Sequence, residues 1–153
     1  MRILPVESAA HLDEVRRLFE EYWSSFGFTP CFQHFDREVA GLPGAYQPPQ
    51  GRLALAWADE AVAGCVALRR FDAERGEAKR LYVRPAFRGQ GMGRALLEWL
   101  IAQARQAGYR EIVGDTLPVM ATALAMYERA GFERTGPYAA EATPGAIYLR
   151  LRL

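Results

Sequence analysis

Residues 81–97 read Leu-Tyr-Val-Arg-Pro-Ala-Phe-Arg-Gly-Gln-Gly-Met-Gly-Arg-Ala-Leu-Leu. A strand around Glu77–Val83 leads into the segment, which then passes Pro85 and runs through Gly89, Gly91 and Gly93 into a long amphipathic helix. Met92, Leu96, Leu97, Leu100, Ile101 and Ala104 recur on one face of that helix, and Gly108 supplies its stop. The first turn of a helix leaves backbone N–H groups without internal partners and carries partial positive charge. Glycines let the chain turn tightly there and let an anion approach the amides. The amides of Gly89, Gln90, Gly91, Met92, Gly93 and Arg94, with Arg88 in front of them, form a candidate pyrophosphate cradle. A glycine turn that holds nothing is the plainer alternative.

Two other nucleotide loops do not fit. A Walker loop needs Gly-Lys-Ser/Thr at its end, whereas Arg94-Ala95 follows Gly93. The dinucleotide pattern GxGxxG would need glycine at Arg94 or Leu96, depending on where it starts.

Upstream, Ser8 is a candidate N-cap for a helix carrying Leu12, Val15, Phe19, Tyr22, Trp23 and Phe26, and Gly27 ends it. A weaker helical pattern after Pro30 places Phe32, Phe35 and Val39 on one side. The turn-rich run Gly41–Gly51 precedes a hairpin, Arg52–Ala58 and Ala61–Leu68, joined at Asp59-Glu60. Downstream come a strand at Glu111–Asp115, a helix at Val119–Ala130 and two strands near Phe132–Thr135 and Ala146–Leu151. Strand and helix periods alternate throughout 153 residues without an internal boundary, which predicts a single mixed α/β domain, 1–153.

Composition narrows the partners. The chain is 50% hydrophobic, 24% charged and 12% aromatic, with a formal net charge of +1, so no bulk field favours nucleic acid or an acidic membrane. Cys31 and Cys65 form no CxxC pair, so neither zinc, nor a redox motif, nor a disulfide framework is expected. Neither a leader pattern nor an apolar run of about 20 residues is present, which predicts a cytoplasmic protein.

Leu81–Leu97 resembles the core motif of the GNAT superfamily of acetyl-CoA-dependent N-acyltransferases, with Arg88, Gly91 and Gly93 on its defining positions. Ala123-Leu124-Ala125-Met126-Tyr127-Glu128-Arg129-Ala130-Gly131-Phe132 is similar to a second block of that family. Leu42–Gly51, Lys79–Val83 and Asp115–Pro118 are similar to the corresponding runs of a bacterial subgroup. The resemblance implies a central, twisted, mostly antiparallel sheet of six to seven strands flanked by about four helices. It also implies acetyl-CoA as cosubstrate, the primary amine of a small molecule or peptide as acceptor, no metal, and a homodimer as one possible assembly. Met120 departs from the pattern, since many members carry asparagine seven residues before the tyrosine.

By the same resemblance, the backbone of Leu81, Tyr82 and Val83 would grip the pantetheine arm where the sheet splays. Acyl transfer to an amine needs a neutral nitrogen, a polarised carbonyl and a proton for the leaving thiolate. Tyr127 is the candidate general acid, because a phenol with an ordinary pKa of about 10 is protonated at neutral pH. Glu77 is the candidate general base, directly or through water, with Asp115 as runner-up and Thr116 as an amine-positioning group. Tyr22, Trp23, Phe26 and Phe28 supply aromatic surface for either the core or the acceptor pocket. A non-catalytic acyl-CoA-binding module of the same fold is the alternative function.

Overall fold

The Ser8 hydroxyl accepts the His11 backbone N–H at 3.2 Å, and the helix it caps, α1, runs Ala9–Ser25 after a short strand β1, Arg2–Pro5. The computed structural model describes residues 1–27, 35–139 and 144–153. Phe28, Pro30, Cys31 and Phe32 therefore lie outside the described residues. The remaining elements are α2 (Phe35–Ala40), β2 (Arg52–Ala58), β3 (Ala61–Arg70), β4 (Arg75–Val83), α3 (Met92–Gln106), β5 (Glu111–Thr116), α4 (Ala121–Arg129), β6 (Glu133–Thr135) and β7 (Ile147–Arg152). Seven strands form one sheet in the order β1-β2-β3-β4-β5-β7-β6, and every neighbouring pair is antiparallel except β4–β5. This is the mixed α/β domain that the periodicity predicts, with the mostly antiparallel sheet that the resemblance implies.

β1 is absent from the sequence reading. Four residues ending in proline, three of them exposed, offer no alternation to detect. Its place at the sheet edge comes from pairing with β2, from Arg2↔Trp57 to Pro5↔Ala54.

Both sheet faces are covered. On one, Leu96, Leu97, Leu100 and Ala104 of α3 pack against Ala54, Val66, Leu68, Ile112 and Leu149. On the other, Val15, Leu18, Phe19 and Trp23 of α1 pack with Leu53, Leu55, Cys65, Ala67 and Tyr82. Each fully buried leucine or phenylalanine contributes about 2 kcal/mol of transfer free energy. Trp23 stacks on Phe35 with ring centroids 4.7 Å apart, so this aromatic belongs to the core. Burial pushes the Cys65 thiol far up, which makes it an inert packing group.

Two irregularities in β4 shape the site. Ala67 pairs with Lys79 and Cys65 with Tyr82, so Val66 alone faces two residues, Arg80 and Leu81. Arg80 is the bulged residue and adopts φ +59°. On the other side, the parallel register with β5 runs only from Arg75↔Glu111 to Glu77↔Val113. β5 stays paired with β7 as far as Thr116↔Ile147, so β4 and β5 part beyond Glu77.

Candidate active site

The gap between β4 and β5 opens into a narrow cleft with a cavity volume of about 40 Å³. Leu81 comes from β4, Asp115 and Thr116 from β5, Ala123 and Tyr127 from α4, and Tyr22 from α1. A strand edge released from its neighbour presents backbone N–H and C=O groups without ladder partners, which suits an extended ligand bearing amides. The Thr116 hydroxyl is a further unmet group, being 4% exposed as a residue and having no hydrogen-bond partner.

The glycine loop stands beside this cleft. Gly91 is the N-cap of α3 at φ +80°, a left-handed conformation that favours glycine, and a Cβ there would meet nothing within 4 Å. Gly91 offers no side-chain cap, so it leaves the first-turn amides of α3 without a capping acceptor. Arg88 Nε donates to the Val83 carbonyl at 2.9 Å, which ties the loop to the end of β4. A Cβ on Gly93 would lie 2.8 Å from Sδ and Cε of Met126, so glycine here lets α3 approach α4. That approach brings Tyr127 to the cleft.

The sequence-predicted cradle residues divide by what their side chains do. Met92 and Tyr82 are core side chains, one under each face of the sheet, so only their backbones remain for a ligand. Val83 packs against the α3 side of the core. Gln90 and Arg94 are exposed, and Arg94 is paired with Glu98 at 2.8 Å. The unpaired stretch of β4, the uncapped cradle and the orphan Thr116 hydroxyl together fit a pantetheine diphosphate.

Tyr127 is 6% exposed, and its ring packs edge-on to Phe132 at 5.1 Å. Burial pushes its pKa well above the ordinary phenol value, with Tyr22 and Asp115 adding to the rise. The hydroxyl is thus protonated throughout the neutral range. It is also a weak acid, so a full proton transfer becomes favourable only to a thiolate whose own proton affinity is raised in the same desolvated cleft.

Glu77, the expected base, is engaged by other side chains. It does not line the cleft. Its carboxylate accepts Arg69 Nε at 2.7 Å and the Tyr138 hydroxyl at 2.8 Å, with Lys79 Nζ 3.6 Å away. Burial alone would raise its pKa. The charges of Lys79 and Arg69 and the two hydrogen bonds outweigh burial and hold it below the usual carboxylate range. A carboxylate so held binds protons poorly, and its contacts tie β4 to Arg69 and Tyr138. Asp115 is the carboxylate at the cleft wall, with Lys79 3.4 Å from its Oδ1.

Sequence reasoning missed Lys79, Arg69 and Tyr138. Lys79 and Arg69 were findable: Lys79 is two residues from Glu77 on the same strand, and Arg69 lies where a hairpin partner of that strand must pass. Tyr138 had no signal, since it sits between β6 and β7 in a stretch without periodicity.

Comparisons with known proteins agree with this fold. The model of the acetyltransferase (GNAT) family matches residues 12–132. An uncharacterized N-acetyltransferase of Schizosaccharomyces pombe is 36% identical over 153 residues, covering 99% of this chain and 94% of its own. The crystal structure of an acetyltransferase from Streptococcus agalactiae superposes with a TM-score of 0.83 at 22% identity, covering 99% and 98% of the two chains. A GNAT family acetyltransferase from Elizabethkingia anophelis, solved with acetyl-CoA bound, is similar with a TM-score of 0.67 at 23% identity, covering 99% and 97%.

Proposed function

This chain belongs to the acetyltransferase (GNAT) family, and we propose that it transfers an acetyl group from acetyl-CoA to the primary amine of a small molecule or peptide by direct attack. The observation that carries the reading is the parting of β4 from β5 beyond Glu77, beside an uncapped α3 N-terminus and with Tyr127 at the gap. In this reading the amides from Gly89 to Arg94 hold the diphosphate, and backbone groups of Leu81 and Val83 hold the pantetheine arm. The bound cosubstrate supplies an activated thioester.

The chain's own groups do the rest. Asp115, or a water it holds, takes a proton from the acceptor's ammonium group. The neutral nitrogen forms a C–N bond to the acetyl carbon as the C–S bond breaks. A free β4 N–H beside Leu81 stabilises the charge that develops on the carbonyl oxygen. Tyr127 gives its hydrogen bond, and then its proton, to the departing sulfur, and regains a proton from solvent or from the second proton that the nitrogen sheds once the C–N bond has formed. The products are the N-acetyl compound, free CoA and one proton. Glu77 orients Lys79, and through it Asp115.

Calorimetric titration with acetyl-CoA, with ATP and NAD in parallel, tests the premise. Micromolar binding of acetyl-CoA alone supports it. Equal or stronger binding of ATP or NAD, or no binding of acetyl-CoA, refutes it.

A further inference from the structure

Six charged side chains crowd the sheet beside the cleft on its α1 side, and their pairing is uneven. Arg80 closes on Glu38 through two hydrogen bonds, of 2.8 and 3.0 Å, and Glu38 also accepts the Tyr46 hydroxyl at 2.8 Å. Glu77 is closed on Arg69 and Tyr138. Lys79 and Asp115 are held more loosely, with Lys79 Nζ 3.4 Å from Asp115 and 3.6 Å from Glu77. These two are the ones that line the cleft with no tight partner.

Among the described residues, ion pairs join Arg69, Glu77, Lys79 and Asp115 in one group and Arg80 with Glu38 in another, so these three cations and three carboxylates balance. They are also largely buried: Glu77, Lys79 and Arg80 are each less than a tenth exposed. An unpaired charge in such a place is heavily penalised. A bare ammonium group entering the cleft would leave one positive charge uncompensated, and a polyamine would leave more. An acceptor that carries its own carboxylate adds no net charge. Its nitrogen takes Asp115 and its carboxylate takes Lys79, so two short contacts replace one long one. The balance also survives deprotonation, because the proton passes from the ammonium to Asp115 within the cluster. A single carbon separates the two groups in an α-amino acid, which matches a lysine and an aspartate already in contact.

Resting on the acetyl-transfer reading above, we infer that the acceptor is a free α-amino acid, with Lys79 as the group that binds its carboxylate. Tyr22 and Phe26 at the same cleft give its side chain an aromatic wall, so the side chain is apolar. Peptide N-termini lack the adjacent carboxylate and fit poorly.

The test measures thiol release with leucine, methionine and phenylalanine, each against its decarboxylated amine and its carboxamide. A charged hydrogen bond formed in a buried site predicts kcat/KM about 30-fold higher for the amino acids. Lys79→Gln is expected to collapse that ratio towards one, and Lys79→Arg to retain most of it. Calorimetric titration of leucine and leucinamide into the protein saturated with CoA gives a second readout, in which only leucine binds tightly. A wild-type ratio near one, a ratio that survives Lys79→Gln, or no turnover of any of the three amino acids overturns the inference. Acetyl-CoA binding measured on the same preparation separates the two failures. If acetyl-CoA binds and amines are acetylated without preference, only the acceptor class is wrong. If acetyl-CoA does not bind, the acetyl-transfer reading falls and this inference falls with it.

Discussion

Replacing Glu77 with glutamine separates a base from a scaffold, because the two roles predict different losses. The amide keeps the shape and one acceptor oxygen but removes the charge that Arg69, Lys79 and Tyr138 converge on. Hydrogen bonds to a charged group are worth about 1.5–3 kcal/mol and neutral ones about 1, so weakening two of them loses about 2 kcal/mol. Lys79 also loses one of its two carboxylates, whereas Arg69 is 37% exposed, and solvent screens much of its share. A net destabilisation of about 2–3 kcal/mol follows, which lowers Tm by about 5–10 °C in a chain of this size. Differential scanning calorimetry measures this directly. The carboxyl is held below its ordinary pKa, so its stabilisation is present above the unfolded value of about 4.3 and is lost as pH falls through the folded one. The gap in Tm between wild type and variant should therefore close on acidification below that range. Turnover should fall by less than about tenfold, with the acid limb of the pH–rate profile kept, since general-base catalysis itself is worth about 10²–10⁴. A fall beyond 10² with the limb abolished and Tm unchanged would falsify the scaffold role and restore Glu77 as the base.

Two further outcomes follow from the same geometry. Tyr127→Phe should lower kcat by about 10–100-fold while the acetyl-CoA Kd from calorimetry changes little, because the hydroxyl acts chiefly as the C–S bond breaks. With its pKa pushed up by burial, wild-type kcat should show no loss attributable to this group up to about pH 10, and an alkaline fall that Tyr127→Phe removes would contradict the assignment. Gly91→Glu puts a carboxylate and a strained left-handed residue into the cradle, and should abolish acetyl-CoA binding while circular dichroism shows the fold retained. An unchanged Kd would remove the cradle from the site.

The sequence was most legible where one period ran undisturbed. The α3 stripe, the hairpin of β2 and β3 and the Ser8 cap are local patterns, and each appears within a few residues of its expected place. Helix α4 begins at Ala121 instead of Val119, because turn geometry at Leu117–Met120 delays it. The phosphate cradle was readable because its chemistry lies in contiguous backbone. The polar cluster was not, because Arg69, Glu77, Asp115 and Tyr138 come from β3, β4, β5 and the stretch after β6. No local pattern states that such distant residues share a face. The acid–base properties of Glu77 depend on those neighbours, so a glutamate that looks available along the chain is already engaged in three dimensions.

The bulge at Arg80 has a consequence for how this strand tolerates change in length. Before it, the odd-numbered Glu77 and Lys79 look towards α1; after it, the even-numbered Tyr82 does, while Leu81 and Val83 join the α3 side. Arg80 is thus the one supernumerary position in β4. Loss of a residue within a strand ordinarily inverts everything beyond it. Loss of Arg80 alone would leave every other side chain of β4 on its present face, at the expense of Glu38's partner. Relatives that differ by one residue between Lys79 and Tyr82 can therefore share the same two cores, and a gap in an alignment at this point marks the loss of a bulge, not a change of fold.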